Sequence, residues 1–552
     1  MFRKSPIALL LSVLLLLTVA APAMTGGSDA AFEPYAETLQ LNIAQAVDST
    51  YTFPEGMDYE NNGILNAAEA ALNIDVKDAW QAQSGADYDQ KVNLSIASND
   101  LPDGLTVNYT QFSSMVKFGM LADLTQAYAD YASPTMYSLL TEKGEGRALD
   151  VATFDGKLYG LPNQPVSDDD YCLVWIRKDW LDKLSLEPPT TVDDLRAIAQ
   201  EFIDKDPGGN GAGNTIGILG PDSTTEHPTF NFLQPGNSAH RLDVIFTAFG
   251  AFPGFWLQGD DGAPVYGTLL PETRTALEYL AALYKDGLLD PQIGVRKSSN
   301  EALIAGQAGI WFGPWWAGYF PLPDAIAQNP EADWHSYMLT DVNGKVTSHM
   351  QSVCNTFSVI RKDYSNPEVV IKLNSVLLRD EHSYDVTTFT MGMYPLRVAL
   401  APVDEMQVTR DAIKAVYSGE KTADDFADAS YDPYKLLRGD VRDILTTKKG
   451  SFDDLSIGQW DTKSPAWARL YSIVVGTNPF YTTEVNRVYS LIYTQTPVIE
   501  AKYATLQKME DEMIMRIIVG QADITEFDAF CQKWLAEGGA EITADVAAAI
   551  AG

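Results

Sequence analysis

Short extended segments alternate with amphipathic segments along most of this 552-residue chain. The first extended segment runs from Leu39 to Val47. This alternation is typical of an α/β architecture, in which helices cover the faces of sheets. Helical spacing and capping residues predict helices that begin near Thr191 and Pro367, and helices that cover Glu272 to Asp286, Thr505 to Gly520 and Phe527 to Glu537.

The amino terminus has the pattern of a secretory signal peptide. Arg3 and Lys4 precede an apolar run from Ala8 to Val19, and Ala21-Pro22-Ala23 offers the small-x-small pattern of a cleavage site. Cleavage is expected after Ala23, with an uncleaved anchor as the alternative, although the run is short for a bilayer core of about 30 Å. No later stretch approaches the roughly 18 uninterrupted apolar residues of a spanning helix. The sequence therefore predicts a soluble protein outside the cell or at its surface.

Acidic residues strongly outnumber basic ones. The chain has 39 Lys and Arg against 74 Asp and Glu, a formal net charge of −35, so a polyanionic partner such as nucleic acid would be repelled. The three cysteines, Cys172, Cys354 and Cys531, are too few and too widely spaced for a zinc pattern or a dense disulfide framework. Core packing is the expected role of these cysteines, and one disulfide stays open as an alternative.

An aromatic loop follows a predicted turn and short strand. The segment from Gly306 to Gly318 contains Gly313-Pro314-Trp315-Trp316. It resembles the Gly-x-Ala-x-x-x-x-Gly-Pro-Trp stretch of the extracellular sugar-binding proteins of ABC importers, the group that includes maltose-binding protein. A flat indole can cover the apolar face of a pyranose while polar groups reach the hydroxyls at its edge. One of Trp315 and Trp316 is expected to stack on a ligand, with a purely structural role for both as the alternative.

Further stretches resemble the large oligosaccharide-binding branch of the same group, which includes Gram-positive sugar-binding lipoproteins and alginate-binding proteins. They occur in the same order between about Leu39 and Leu400, and this collinearity is stronger than any one motif. The matching stretches are Tyr88 to Asp103, with Asn99 in place of the usual Gly, Tyr159 to Pro162, Leu173 to Leu181, Trp256, Asp260 to Gly262, Tyr266, Tyr284 to Asp290 and Pro321 to Pro323.

The resemblance implies an α/β, two-lobed periplasmic-binding-protein-like (type II) fold with an interlobe ligand cleft and extra C-terminal helices. The expected organisation is a signal peptide (1–23), a flexible tether (24–37), lobe 1 (38–165), lobe 2 (166–352), a return segment of lobe 1 (353–393), and the completion of lobe 2 with the C-terminal helical region (394–552).

Two polar segments are expected at the cleft. Ser98, Asp100 and Asp103 would lie at a strand-to-helix turn, with Asp100 as the preferred acceptor of sugar hydroxyls and helix capping as the alternative role. Asp58, Asn61 and Asn62 offer amides and a carboxylate near the cleft mouth, or a solvated loop. The expected ligand site is completed by Trp256, Tyr171 and Trp175.

The loop from Asp206 to Asn214 resembles the Asp-Pro-Asp-Gly-Asn-Gly-x-x-Asp calcium loop of the alginate-binding relatives. Oxygen donors at Asp206, Asn210 and Asn214 fit a hard cation. However, Gly208 stands where Asp is expected, Asn214 replaces an Asp, and Thr215 replaces a further possible acidic ligand. No cofactor is expected to be required, and a structural calcium ion competes with a plain Gly/Asn turn.

These features together predict a monomeric extracellular receptor that captures a carbohydrate, expected to be an oligosaccharide, and passes it to ABC transporter permease subunits. A secreted glycoside hydrolase or a peptide receptor is the alternative, but motifs for hydrolysis are missing, and Asp168-Asp169-Asp170 suits a solvated turn. Relatives in Gram-positive bacteria carry a lipid on a Cys after the signal, whereas no Cys precedes Cys172 here. The protein is therefore expected to be released or held by its apolar segment.

Overall fold

The computed structural model describes residues 26–551 except 49–50, 52, 145, 166, 224, 226, 234–238 and 382–390. The predicted signal peptide, residues 1–23, lies outside the described residues. Within the described ranges, none of the helices combines the length and the apolar character that a membrane-spanning helix requires.

The described residues form strands and helices in alternation, as the sequence predicts. The strands are β1 (Leu39–Val47), β2 (Ile74–Gln83), β3 (Gly104–Asn108), β4 (Thr153–Phe154), β5 (Lys157–Leu158), β6 (Leu161–Pro162), β7 (Leu173–Arg177), β8 (Ile216–Leu219), β9 (Trp256–Gln258), β10 (Pro264–Tyr266), β11 (Ala308–Gly313), β12 (Trp334–Tyr337), β13 (Val346–Met350), β14 (Thr356–Ile360) and β15 (Val485–Tyr489).

Helices connect and cover these strands. They are α1 (Gly63–Leu72), α2 (Ala86–Ser98), α3 (Tyr109–Lys117), α4 (Thr125–Tyr131), α5 (Pro134–Tyr137), α6 (Arg147–Val151), α7 (Lys178–Leu184), α8 (Val192–Lys205), α9 (Asp243–Ala248), α10 (Pro271–Lys285), α11 (Ser299–Ile304), α12 (Leu322–Gln328), α13 (Val369–Asp380), α14 (Glu405–Tyr417), α15 (Leu437–Thr447), α16 (Trp467–Tyr471), α17 (Asn478–Thr482), α18 (Pro497–Ile518), α19 (Thr525–Trp534) and α20 (Ala540–Ala551).

The first lobe is built on a five-stranded sheet of order β2-β1-β3-β14-β6. β1 runs parallel to β2 and β3, whereas β14 runs antiparallel to β3 and β6. Leu41 and Ile43 of β1 are buried between the exposed Gln40 and Asn42, which is the period of two that a strand with one buried face requires. Helices from before and after the second-lobe segment, such as α1 and α13, complete one hydrophobic core with this sheet.

The second lobe is built on a four-stranded sheet of order β12-β7-β11-β8. Every residue of β7 and β11 is buried, because helices cover both faces of this sheet. One face packs on a core that includes α8, α10 and α18, and the other packs on a core formed by α14 to α17 and their connections. These two faces explain why β7 and β11 are continuous apolar runs and not alternating ones.

The predicted helices are confirmed, with changed ends. Thr191 and Asp194 form the capping box of α8: Thr191 Oγ1 accepts from the Asp194 amide at 3.2 Å, and Asp194 accepts from the Thr191 amide at 2.9 Å. The helix expected from Glu272 to Asp286 is α10. α18 begins eight residues earlier than the expected Thr505, because Thr496 caps it and Pro497 occupies its first position.

The C-terminal helices pack on the second lobe, as expected. The ring of Trp534 stacks on Tyr266 with a centroid distance of 4.6 Å. Beneath α18, the fully buried carboxyl group of Glu510 accepts from the hydroxyls of Tyr266 and Thr268 at 2.9 and 2.7 Å. Burial raises the pKa of Glu510 to about 8, so its protonated form is favoured at neutral pH.

Two expectations on the ends of the lobes need correction. Residues 394–400 were expected in lobe 2, but Leu396 and Leu400 pack in the first core. The Gln164 amide donates to Ala399 O at 2.8 Å and the Ala401 amide donates to Gln164 O at 2.9 Å, so the final crossing follows residue 400. The segment expected to be a flexible tether packs on the first lobe from Ser28 onward. The Ser28 amide donates to Ala132 O at 2.8 Å, and Ala31 is fully buried.

Candidate functional site

The crossings between the lobes locate the functional edge of the first sheet. Thr356 at the start of β14 pairs with Asn108 at the end of β3, and the Asn163 amide, just after β6, donates to Thr356 O at 2.9 Å. The chain therefore leaves the first lobe at the carboxyl ends of β1 and β3. In open α/β sheets, ligands bind in the crevice beyond the carboxyl ends of the strands. This edge forms the first-lobe wall of the interlobe cleft.

Ser98, Asp100 and Asp103 lie at the other edge, so their expected place in the cleft is wrong. They precede β3, and its five residues separate them from the carboxyl edge by roughly 15 Å. The Asp103 carboxylate accepts from the backbone and side-chain nitrogens of Asn42, both at 2.9 Å, and from Arg361 Nε at 2.8 Å. Asp103 is therefore a structural link between β1 and the residue after β14.

Ser98 and Asp100 are exposed at that same edge. The Ser98 hydroxyl donates to Leu94 O within α2 at 2.8 Å, and the Asp100 amide donates to Ser95 O at 3.1 Å. Both bonds belong to the C-terminal end of α2, so a role at this helix end fits Ser98 and Asp100 better than recognition of sugar hydroxyls does. Sequence similarity identified this segment, but it did not indicate which end of the strand faces the cleft.

The loop before α1 does lie at the carboxyl edge, since it follows β1. The Tyr59 hydroxyl accepts from the Asp48 amide at 2.7 Å and thereby holds the loop against the end of β1. Asn62 is buried and caps α1, with Oδ1 accepting from the Leu65 amide at 3.0 Å, so its expected ligand role is wrong. Asp58 and Asn61 keep exposed side chains and stay candidates for hydroxyl recognition.

The two tryptophans follow β11 at the corresponding edge of the second sheet. Gly313 pairs with Leu173, where the chain enters β7 after crossing from the first lobe. Trp315 is only 5% exposed, and its Nε1 donates to Asp169 Oδ1 at 3.0 Å. Trp316 is half-buried against the core formed by α14 to α17. Trp315 is thus a bonded part of the wall, and Trp316 has the more accessible ring.

The other expected aromatic ligands are core residues. Trp175 is fully buried, donates from Nε1 to Pro314 O at 3.0 Å and stacks on Trp311. Trp256 is fully buried against Tyr266 and Trp534, so neither ring has a face open to a ligand. The expected contact of Trp175 and Trp256 with ligand is wrong, because apolar burial in these strands takes up both rings.

Asp168 and Asp170 are buried at the crossing and Asp169 is half-buried, contrary to the solvated turn expected for the three aspartates. Asp168 accepts a hydrogen bond from the Tyr481 hydroxyl, and Asp170 Oδ2 accepts from the Gln351 amide at 3.0 Å. Burial raises the pKa of Asp168 to about 6 and raises the pKa values of Asp169 and Asp170 as well. The carboxyl groups connect the second lobe to the crossing segments and lie beside the cleft.

A cavity of about 170 Å³ opens between the lobes next to Asp170. The Tyr171 hydroxyl accepts from Arg487 Nε at 2.7 Å, and the Tyr171 ring packs on Phe480 with a centroid distance of 4.6 Å. The predicted Tyr171 therefore orients a side chain of the cavity and does not face it. The lining residues are Lys143, Gly144, Arg147, Ala148, Gln164, Pro165, Asp170, Met350, Gln351, Ser352, Val353, Val403, Arg487 and Tyr489.

Two wider hollows of about 790 and 840 Å³ continue the cleft along α3. Tyr109, the first residue of α3, and Tyr493 of the second lobe contribute to both. Exposed amides at Asn108 and Asn355 lie on the first-lobe wall, and Gln495 lies on the opposite wall. Amides beside aromatic rings suit ligands that have both hydroxyl groups and apolar faces. The position of Asn108 at the end of β3 and that of Asn355 directly before β14 are the signal that sequence reasoning missed.

A known family matches this architecture. The sequence profile described as bacterial extracellular solute-binding protein matches residues 64–411, which is more than half of the chain. This chain belongs to that family.

This solute-binding protein is 29% identical over 219 residues to the fructooligosaccharide ABC transporter substrate-binding protein FusA of Streptococcus pneumoniae, covering 38% of each chain. It is 27% identical over 262 residues to the polygalacturonan/rhamnogalacturonan-binding protein YtcQ of Bacillus subtilis, covering 45% of this chain and 46% of the relative. The matched part is thus less than half of the length of these curated relatives.

Solved structures resemble this solute-binding protein over nearly its whole length. An HMO-binding, ABC-transporter-associated solute-binding protein from Bifidobacterium longum infantis aligns with a TM-score of 0.59 at 15% identity, covering 93% of this chain and 98% of the other. An EF-hand mutant of FusA with bound fructo-nystose aligns with a TM-score of 0.55 at 19% identity, covering 93% and 98%. At these identities the likeness establishes the two-lobed fold.

The expected calcium loop is held together by its own hydrogen bonds. Asp206 Oδ1 accepts from the Thr215 hydroxyl at 2.6 Å and from the Asn210 amide at 2.9 Å, and Oδ2 accepts from the Gly211 amide at 2.8 Å. The Asn214 amide group donates to Asn210 O at 3.0 Å. These bonds close the loop on itself, and Asp206 is the single carboxylate between positions 206 and 215, so the loop offers a calcium ion fewer charged ligands than the pattern it resembles.

The missing acidic residue at position 208 has a steric explanation. A Cβ atom on Gly208 would lie 2.4 Å from the indole of Trp180. Lys183, on the same helix as Trp180, donates to Pro207 O at 2.6 Å and supplies a positive charge beside Asp206. Among the described residues, no group of three or more His, Cys, Asp or Glu side chains is arranged to hold a metal ion.

Proposed function

We propose that this protein is the extracellular substrate-binding component of an ABC transporter, which captures an oligosaccharide between its lobes and delivers it to membrane permease subunits. The observation that carries the proposal is the interlobe cleft beyond the carboxyl edge of the first sheet, where the amides of Asn108, Asn355 and Gln495 line the same hollow as the rings of Tyr109 and Tyr493. Such walls can bond sugar hydroxyls and cover the apolar faces of the rings. The names of the family and of the relatives agree with this proposal.

Ligand capture follows from the arrangement of the lobes. A sugar first binds one wall, and closure adds the contacts of the other wall, so the closed form is populated in proportion to the ligand's preference for it. We propose Trp316, Tyr109 and Tyr493 as ring contacts, with Asp58 and Asn61 as polar contacts at the mouth. The closed surface would be the form that the permease recognises.

We favour a binding role over hydrolysis because carboxyl groups at the crossing are already hydrogen-bonded within their own lobe. A glycosidase needs a pair of carboxyl groups about 5 Å or roughly 6.5–9.5 Å apart on either side of the bond that it cleaves. At the crossing, Asp168 and Asp169 accept from Tyr481 and Trp315 of their own lobe. The family consists of solute-binding proteins, and a peptide ligand is the second candidate because a similar fold does not dictate the ligand.

The test is a thermal-shift and calorimetric screen of the full secreted chain against oligosaccharides and peptides, with an assay for released reducing ends. Stable carbohydrate binding without product release is the expected result. Turnover of the sugar, or binding of peptides alone, would overturn the proposal.

Trp316→Ala should weaken binding of the sugar identified in that screen by about 1–3 kcal/mol, the usual contribution of a stacked ring. Trp80→Ala is the matched control, because Trp80 is a half-buried ring of β2 beside Lys91 and lines a different hollow, together with Ser98 and Asp100. Its dissociation constant should equal that of the wild type. Normal binding by Trp316→Ala would move the stacking role to Tyr109 or Tyr493.

We further propose that the protein acts as a monomer outside the cell and that it requires no metal ion. Self-closure of the loop from Asp206 to Thr215 supports the second statement. Cell fractionation distinguishes a released protein from one that is held at the surface, and light scattering measures the oligomeric state.

A further inference from the structure

The wall of the small cavity at the lobe crossing is rich in basic side chains, in contrast to the acidic protein as a whole. Its wall contains three basic side chains, Lys143, Arg147 and Arg487, and one acidic side chain, Asp170. The complete sequence has nearly twice as many acidic as basic residues. A local excess of positive charge in so acidic a protein focuses an attractive potential for anions into the cleft.

Arg487 is oriented and available. Its Nε donates to the Tyr171 hydroxyl at 2.7 Å, and Tyr171 itself is buried against Phe480. In the part of the chain that the structure describes, Arg487 has no carboxylate within ion-pair distance, and its two terminal nitrogens have no hydrogen-bond acceptor. A guanidinium that is fixed through Nε presents these two nitrogens as a fork, the geometry that binds a carboxylate through both oxygens.

The other two basic groups reinforce this fork. The Arg147 guanidinium lies 5.8 Å from the centre of the Tyr489 ring, which also lines the cavity. Lys143 donates to Asp404 at 3.2 Å and to the hydroxyl of Tyr434. An ammonium group has three donors, so Lys143 has one left for a ligand.

Within the described ranges, Asp170 has one carboxyl oxygen without a hydrogen-bond partner beside the cavity. Its Oδ2 accepts from the Gln351 amide, whereas Oδ1 is buried and has no partner among the described residues. Burial raises the pKa of Asp170 well above its usual value. A protonated carboxyl group can donate to an acceptor on a bound ligand, and this would satisfy the orphaned oxygen.

We infer that this cavity binds the carboxylate of an acidic sugar, so that the ligand is an oligosaccharide containing uronic acid. The inference rests on the proposed function and adds the charge of the ligand to it. Arg487 would hold the carboxylate through both oxygens, with Arg147 and Lys143 beside it, while the tyrosines and amides of the wider hollows contact the neighbouring sugar rings.

The test compares ligands that differ only in charge. Calorimetry with oligogalacturonate and with its methyl ester, at low and at 0.15 M salt, should show tighter binding of the acid by about ten- to a hundredfold, as expected for a charge-assisted bidentate contact. The difference should shrink as salt rises, because the cavity is open to solvent. Equal affinity for acid and ester, or tighter binding of a sulfated oligosaccharide, overturns the inference.

Variants connect the effect to the cavity. Arg487→Gln and Arg147→Gln should each lower the preference for acid over ester by about tenfold, with unchanged affinity for the ester. Arg196→Gln is the matched control, since it removes the same charge from α8, where Arg196 pairs with Asp286 on the surface. If neutral oligosaccharides alone bind, the inference fails and the proposed function stands. If no carbohydrate binds in any arm, the proposed function fails.

Discussion

Replacing Asp103 with alanine separates a structural role from a ligand-binding role. Sequence similarity places Asp103 at the ligand, whereas the structure places its carboxylate between Asn42 of β1 and Arg361 after β14, at the edge opposite the cleft. Asp103→Ala should therefore lower the stability of the first lobe and leave ligand affinity unchanged.

The magnitude follows from the three lost hydrogen bonds. Hydrogen bonds to a charged acceptor contribute about 1.5–3 kcal/mol each when buried. The Arg361 side chain is 38% exposed, and Asn42 is exposed as well, so solvent screens the ion pair and can replace part of each bond. The expected loss is therefore about 2–3 kcal/mol in the free energy of unfolding, well below the sum of three buried bonds.

Denaturant unfolding gives the stability, and amide hydrogen exchange at β1 and β3 assigns the loss to the first lobe, because two lobes need not unfold as one unit. Calorimetry gives the affinity for the sugar found in the screen. Asp100→Ala is the matched control, since Asp100 is exposed at the same edge, and it should change neither quantity. Unchanged stability together with a tenfold loss of affinity would refute the reasoning.

Two further predictions concern a buried acid and the loop from Asp206 to Thr215. The pKa of Glu510 is about 8 in the folded protein against a usual value of 4.5, so the folded state keeps a proton that the unfolded state loses, and stability should fall as the pH rises from about 5 to 8. Glu510→Gln should reduce that fall by up to about 4 kcal/mol in denaturant titrations, at about 1.4 kcal/mol for each pH unit of the interval; an unchanged pH profile contradicts this. Millimolar calcium should not raise the melting temperature, and a calcium-dependent rise would show that the loop binds the ion. Thr215→Ala should lower the free energy of unfolding by about 1 kcal/mol, because Asp206 loses a hydroxyl donor.

The sequence alone determined the fold class and the positions of the main helices. Thr191 and Asp194 cap α8 through local hydrogen bonds, and Leu195, Ile198 and Phe202 form its buried face through helical periodicity. Capping and periodicity are local properties, so they can be predicted without knowing which elements meet. The collinear resemblance to sugar-binding proteins likewise predicted two lobes, and the family match confirms it.

The candidate site depended on the tertiary structure. Asp103 directly precedes β3 and Asn108 ends it, yet only Asn108 lies at the cleft, because the direction of β3 relative to the crossings decides which end faces the other lobe. Trp256 and Trp316 were both expected to contact the ligand. Trp534 of α19 covers Trp256, whereas Trp316 stays half-buried. Arg487 meets Tyr171 across 316 positions of chain, a separation at which no local pattern carries a signal. Periodicity determined the elements, and long-range packing decided which side chains line the cleft.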